Sequence, residues 1–339
     1  MVRWQASHGR SHLPWQNTLD PYRVWLSEVM LQQTQVVTVL GYFERFLARF
    51  PDVAALASGS EDEVLGLWSG LGYYSRARNM HRCAQAVVER FGGAFPQSAA
   101  RLATLPGIGR STAAAIAAFC FGERVAILDG NVKRVLTRLL AFDADLSSAA
   151  NERTLWDRAT ELLPPADRPD DIRRYTQGVM DLGATLCLPR RPSCMLCPVA
   201  ELCVARSQGR PEAFPVKTRK TLRTAQSLWV LNAIDPSGRS WLAQRPATGI
   251  WARLHALPLF EGRADLLAAL PSSLHDAMRE LPAFVHVLTH RELHLHVVEV
   301  RFTSGTSPLG AGDWLEPARW RSLGLPTPMR RLLERDTAG

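Results

Sequence analysis

Four cysteines, Cys187, Cys194, Cys197 and Cys203, fall within seventeen residues with the spacing C-x6-C-x2-C-x5-C, in a chain of 339 residues that holds six cysteines. Thiols so crowded either pair as disulfides or bind a soft metal. The start Met1-Val2-Arg3-Trp4 leads into a segment bearing Trp and His rather than an apolar export core, so disulfides are disfavoured and a metal is expected. Zinc usually takes two C-x2-C knuckles across a long loop. One short loop here must gather four thiolates, which suits the larger cage of an iron–sulfur cluster, and spacing leaves the two metals open. Cys83 and Cys120 sit in Ala-rich apolar surroundings, where a thiol is expected to be buried and inert.

Two carboxylates stand out. Glu28 lies in Val24-Trp25-Leu26-Ser27-Glu28-Val29-Met30-Leu31, an apolar helical stretch, so its carboxyl either faces outward or is buried with a raised pKa. The flanking Val29, Met30 and Leu31 favour burial. Asp129, in Ile127-Leu128-Asp129-Gly130-Asn131-Val132-Lys133-Arg134, stands where a helix N-cap belongs. A helix start should keep it ionised and able to stabilise a developing cation. The string Leu105-Pro106-Gly107-Ile108-Gly109-Arg110-Ser111-Thr112 precedes an Ala-rich helix. Gly107 and Gly109 would leave backbone N–H groups free at its positive end for a phosphate, as in a helix-hairpin-helix DNA clamp.

The elements that must carry these residues fall in two halves. Up to about Cys203 apolar residues recur at helical spacing, as in Val132, Val135, Leu136 and Leu139. This predicts a mostly α-helical domain over 1–208. Residues 209–225, with Lys217, Arg219, Lys220 and Arg223 and no sustained apolar period, read as a linker. Over 226–339 an α+β domain is expected, with strands at Ser227–Ile234 and Glu292–Arg301 and helices at Ala264–Leu270 and Leu274–Leu281. No apolar run approaches membrane-spanning length, which predicts a soluble protein. The net charge of +8 and pI near 9.6 favour a polyanionic partner, of which nucleic acid is the commonest.

Taken in order, Trp25 to Gln35, the glycine hairpin, the Asp129 segment and the four cysteines closely resemble adenine DNA glycosylases of the MutY type, in the endonuclease III (helix-hairpin-helix) superfamily. The likeness runs over about the first two hundred residues and is looser beyond. It implies that Cys187, Cys194, Cys197 and Cys203 hold a [4Fe–4S] cluster, and that the chain removes adenine mispaired with 8-oxoguanine or guanine in double-stranded DNA. Breaking an N-glycosidic bond needs a proton for the leaving base and a negative charge for the cationic sugar. Glu28 would be the acid and later the base, Asp129 the anion, and Asn131 would orient Asp129. Bifunctional relatives place a Lys where this chain has Ser111, so a monofunctional enzyme is implied.

The resemblance further puts Gln33 and Tyr73 beside the lesion, supported by Thr34 and Leu71, and places Trp15, Leu31, Gln177 and Met180 around the adenine. Arg76, Arg78, Lys133, Arg134, Arg190 and Arg191 become candidates for phosphate contact. The second domain is similar to the MutT (Nudix) fold. The hydrolase string G-x5-E-x7-R-E-x2-E-E is missing from the sequence, so it should bind the lesion rather than hydrolyse. Its recognition loop would be Leu288-Thr289-His290, with Arg291-Glu292 read as an insertion; His294 and His296 share a strand face that a metal or DNA could meet. A monomer in a bacterial-type cytoplasm, held on the nucleoid by DNA, is expected. Two other readings are a glycosylase-lyase for oxidised pyrimidines, opposed by Ser111, and a non-catalytic iron–sulfur DNA-binding protein, opposed by Glu28 and Asp129.

Overall fold

Asp20-Pro21 opens the helix that carries Glu28. The Asp20 carboxylate accepts the Tyr22 N–H at 2.9 Å, and Pro21 takes a first-turn position that needs no donor. The computed structural model describes residues 1–218, 222–303 and 310–336. In chain order the helices of the first part are α1 Val2–His8, α2 Pro21–Leu31, α3 Val36–Arg49, α4 Val53–Ser58, α5 Glu61–Leu67, α6 Ser75–Phe91, α7 Ala99–Leu102, α8 Arg110–Phe121, α9 Gly130–Leu140, α10 Ala149–Glu161, α11 Pro169–Thr185 and α12 Val204–Ser207. Two units form: Met1–Ala57 with Arg82–Lys220, and Ser58–His81 with Thr221–Gly339.

The first unit is helical. Its core joins α8, α9, α10 and α11 through Ala114, Val132, Leu136, Trp156, Val179 and Leu182. Small alanines on α8 let neighbouring helices approach, and Gly122 ends that helix at φ 68, a conformation suited to glycine. Gly183 on α11 lets Asn131 of α9 come so near that a Cβ at 183 would stand 2.7 Å from the Asn131 Cβ. Residues 211–216 of the linker segment are packed rather than free: Phe214 is buried and the Val216 carbonyl accepts from Leu146 N–H. Arg219 and Lys220 lie outside the described residues.

The second unit is built on a seven-stranded sheet of β1 Thr224–Ile234, β2 Ser240–Gln244, β3 His255–Ala256, β4 Leu259–Phe260, β5 Arg279–Val287, β6 Arg291–Arg301 and β7 Asp313–Leu315. Its main path is β3-β2-β1-β6-β5, with β1 and β6 parallel over eleven residue pairs and β5 antiparallel to β6. Three further helices follow in chain order, α13 Arg263–Ala269, α14 Pro317–Arg321 and α15 Thr327–Asp336. Alternation along the strands sends Leu228, Val230, Leu295 and Val297 to one face, under Trp320 of α14 and Met329 and Leu333 of α15. The opposite face packs Leu231, Val298 and Val300 against Leu266 of α13.

One expectation changes here. The helix expected at Leu274–Leu281 is a 3-10 turn over Ser272–Ala277 followed by β5, because Arg279 to Leu281 pair with Val297 to Glu299. Pro282 falls at the bulge between Leu281 and Phe284, where a strand tolerates a missing donor. Arg291 and Glu292, read as an insertion, begin β6 in regular register with Thr224 and Ala225.

Candidate active site

Glu28 sits on the third turn of α2 and opens on a cleft of about 310 Å³, which Trp15, Gln16, Ser27, Phe119 and Gln177 also line. Burial, and then the negative charge of Asp129, push the Glu28 carboxyl up from 4.5 to about 8. It therefore keeps its proton at neutral pH, poised as a donor. Asp129 caps α9, with Oδ1 accepting the Val132 N–H at 2.7 Å. The helix start lowers its pKa as expected, but burial acts against it. Burial raises its pKa and outweighs the lowering by the Val132 and Asn131 N–H groups and by the Arg134 and Lys133 charges.

Asn131 meets Asp129 through its main-chain N–H, while its side-chain oxygen accepts from Arg134 Nη2 at 2.8 Å. Arg134 also donates to the carbonyls of Gly183 and Cys187, at 2.6 and 2.7 Å, and Lys133 pairs with Glu152 at 2.8 Å. Both cations expected on phosphates are thus bound within the protein. Arg134 physically links the Asp129 helix to the first cysteine. Ser111 Oγ accepts the Leu128 N–H at 3.2 Å, joining the hairpin helix to the strand of chain before Asp129. Gly107 holds φ 73 in the hairpin turn, and Gly109 is the N-cap of α8 with no side chain over the free N–H groups.

Trp15 is buried edge-on against Phe43, with ring centroids 5.3 Å apart, and together with Glu28 and Gln177 reaches the cleft. Leu31 and Met180, expected around the adenine, do not line it. Leu31 ends α2, and Met180 packs against the helical core.

The four cysteines border one cavity with Leu182, Leu186, Val199 and Arg138. Arg138, 2 % exposed, donates from Nη1 to Cys187 Sγ at 3.3 Å and to the Leu188 carbonyl at 2.7 Å, and from Nη2 to the Pro189 carbonyl at 2.9 Å. Four soft sulfurs on one largely apolar cavity are a donor set that fits a thiolate-ligated iron–sulfur cluster. Burial raises the pKa of Cys194 and Cys197, and mutual repulsion among the thiolates adds to it. Cys83 and Cys120 are buried, with thiols pushed up to about 12. Arg190 is exposed on the loop between Cys187 and Cys194.

In the first unit, Gln33 follows α2 at φ 56 and is exposed, with Thr34 beside it. In the second unit, Tyr73 stands at φ 47 and is 44 % exposed. A non-glycine residue in the left-handed region carries strain of about 1–3 kcal/mol and clusters at working sites. Both residues expected beside the lesion have it. Arg76 is buried below Tyr73, donating to the carbonyls of Leu71 and Gly72 and lying over the Trp68 ring, so it braces this loop rather than meeting a phosphate. The Thr289 hydroxyl donates to the Tyr73 hydroxyl at 3.1 Å, and His290 shares with them a groove of about 630 Å³. His294 meets Glu292 at 3.1 Å and His296 stacks on Trp229, so each imidazole has a protein partner.

Residues 26–161 match the HhH-GPD superfamily of base excision DNA repair proteins, and residues 229–335 match the NUDIX domain. An adenine DNA glycosylase of Buchnera aphidicola (subsp. Schizaphis graminum) is 33 % identical over 98 % of this chain and 96 % of its own. One from Rattus norvegicus is 47 % identical, covering 98 % of this chain and 76 % of its own. The chain belongs to the adenine DNA glycosylase family. Among solved structures, a thermostable thymine-DNA glycosylase superposes at TM-score 0.53 and 26 % identity, over 61 % of this chain and 93 % of that one. An endonuclease III–DNA complex superposes at 0.50 and 20 % identity, over 61 % and 92 %, and shares the fold. The family makes the chain a DNA glycosylase of base excision repair. No helix among the described residues is long and apolar enough to cross a membrane.

For a DNA glycosylase, sequence reasoning missed Asp181. This α11 carboxylate is 0 % exposed and accepts from Arg10 Nε at 2.7 Å, Arg10 N at 3.0 Å, Gln177 Nε2 at 3.0 Å and Gln16 Nε2 at 3.3 Å. The available signal was an acid between Val179 and Leu182 on a helix whose neighbours are core residues.

Proposed function

We propose that this chain is a monofunctional glycosylase that hydrolyses the N-glycosidic bond of adenine mispaired with 8-oxoguanine or guanine. The observation that carries the reading is the place of the Glu28 carboxyl on the cleft, where burial and the Asp129 charge raise its pKa to about 8. The adenine leaves the duplex and enters the cleft against Trp15. Glu28 gives its proton to N7 of the base, which departs with the bonding electrons. The oxocarbenium-like sugar is stabilised or transiently trapped by the Asp129 carboxylate. Glu28, now ionised, takes a proton from water as its oxygen attacks the sugar, and an abasic site remains.

Ser111 has no amine to form a Schiff base, and its hydroxyl is engaged by Leu128, which supports hydrolysis without strand cleavage. Gln33 and Tyr73, with Thr34 and Leu71, fill the space beside the lesion, and Thr289 and His290 recognise 8-oxoguanine. The N–H groups at Gly107 and Gly109, and Arg190, hold the phosphate backbone. Cys187, Cys194, Cys197 and Cys203 would hold a [4Fe–4S] cluster, which supplies a fold-stabilising cross-link. The protein acts as a monomer on DNA in the cytoplasm.

The test uses purified protein and duplexes carrying adenine opposite 8-oxoguanine, guanine or thymine, each developed with and without alkali. Excision opposite 8-oxoguanine and guanine, with strand breaks only after alkali, is expected. Excision confined to an oxidised pyrimidine overturns the proposal.

A further inference from the structure

In the second unit, three of the four residues 70–73 hold positive φ: Gly70 at 104, Gly72 at 69 and Tyr73 at 47. The glycines do so freely, but Tyr73 keeps this conformation only where its surroundings impose it. Arg76 holds the loop from within, and Trp68 Nε1 donates to the Gly72 carbonyl at 3.0 Å. A second set of contacts comes from the last part of the chain. Tyr74 donates its hydroxyl hydrogen to the Leu325 carbonyl at 2.7 Å, and its oxygen accepts the Gly70 N–H at 3.3 Å. Arg330, in the first turn of α15, donates to Ser69 Oγ from Nη2 at 3.0 Å and from Nε at 3.3 Å, and to the Leu323 carbonyl from Nη2 at 3.1 Å. Ser69 and Tyr74 thus bracket the loop, each tied to the segment 323–330. The backbones beneath are in direct contact: a Cβ at Gly66 would stand 2.1 Å from the Ser322 carbonyl oxygen, and one at Gly324 2.6 Å from the Leu65 Cβ. That packing joins the two segments by itself, whereas the bonds of Tyr74 and Arg330 fall on the ends of the loop.

We infer that Tyr74 and Arg330 are positioning residues for lesion discrimination. They clamp the loop so that the Tyr73 hydroxyl keeps its 3.1 Å bond from Thr289, and the pair meets the base opposite adenine already in place. The inference rests on the reading of Tyr73 and Thr289 as lesion contacts. A reader set in advance loses no affinity to ordering at the moment of binding. Once a clamp is removed, Tyr73 is free to leave the left-handed region, and apparent affinity falls with the fraction of molecules whose loop is still competent. The loss falls chiefly on 8-oxoguanine, whose difference from guanine is read only while Tyr73 and Thr289 are held in place.

The experiment is a gel-shift titration of the full chain with two duplexes, which place 8-oxoguanine or guanine opposite an adenine on a fluorinated sugar that resists excision. The affinity ratio of the wild type is compared with those of Tyr74→Phe, Arg330→Gln and Tyr73→Leu. Each clamp variant should lower the ratio about tenfold, as for a loop that is competent about one-tenth of the time. A lowered ratio in either supports the inference. A merely structural role would lower the thermal midpoint or weaken both duplexes equally, and an unchanged ratio in both variants overturns the inference. If Arg330→Gln does not fold, Tyr74→Phe decides alone, since it removes one hydroxyl and keeps the ring. A wild type with no preference, or Tyr73→Leu with the wild-type ratio, removes the reading of Tyr73 as a lesion contact and the inference with it. A ratio lowered by Tyr73→Leu but kept by both clamp variants removes the inference alone.

Discussion

Glu28→Gln should make the protein more stable while abolishing its activity, and the stability gain should depend on pH. In the unfolded chain the carboxyl titrates near 4.5, and in the folded state near 8. Below about 4.5 both states hold the proton and the residue carries no pH-linked cost. Between the two values the unfolded chain loses the proton and the folded chain must keep it, so stability falls as pH rises until it levels off above 8. At about 1.4 kcal/mol for each pH unit of separation, the whole interval is worth up to about 5 kcal/mol. Partial opening onto a wet cleft brings this to the order of 2–4 kcal/mol. Glutamine cannot ionise, so the variant escapes the cost. Urea unfolding from pH 4 to 9 checks this: the two proteins should converge at the acid end and separate progressively up to pH 8, with unchanged slope m. Excision should drop by roughly 10²–10⁴-fold, the usual worth of general acid–base catalysis. A stability difference that is flat across pH, or a variant that still excises adenine, refutes the assignment of a half-buried, protonated Glu28.

Cys194→Ser should lose the visible absorption of the cluster and the affinity for lesion duplex together, since the loop bearing Arg190 is tied back to Arg138 beside Cys187; full affinity in a protein without the absorption would break that link. Gln33→Gly should leave thermal stability within about 1 kcal/mol, as relief of the strain at φ 56 offsets glycine's chain entropy, while mispair affinity in a gel-shift titration falls severalfold. Unchanged affinity would remove Gln33 from the lesion contact. Borohydride added during turnover should trap no protein–DNA adduct with the wild-type chain, because Ser111 offers no amine; efficient trapping would point to a lyase instead.

The parts of the fold and site that could be read from the sequence are those set by local chemistry. Asp129-Gly130 declares a helix start through capping that needs only the next three residues. Gly107 and Gly109 mark the hairpin turn, and four cysteines in one loop converge on one cavity as their spacing required. The strands expected at 227–234 and 292–301 lie within those at 224–234 and 291–301. The segment after Leu274 failed because its apolar spacing fits either period. What decides it is pairing with β6, a partner the segment itself does not reveal.

Charged residues show where local reading stops. Arg76, Lys133 and Arg134 each sit in a basic stretch, and in isolation a solvated or phosphate-bound side chain is the natural expectation. Each is redirected by groups that the string does not place nearby. Arg134 finds carbonyls 49 and 53 residues away, and Lys133 finds a carboxylate 19 residues on. Asp181 is the extreme case, collecting Gln16 and Arg10 across 165 and 171 residues. A buried ion is favourable only when its partners converge from several elements, because each contact must offset the loss of hydration. Such residues are therefore the least visible in a sequence. They are also the ones able to fix the orientation of neighbouring side chains, as Asp181 does for two glutamine amides at once.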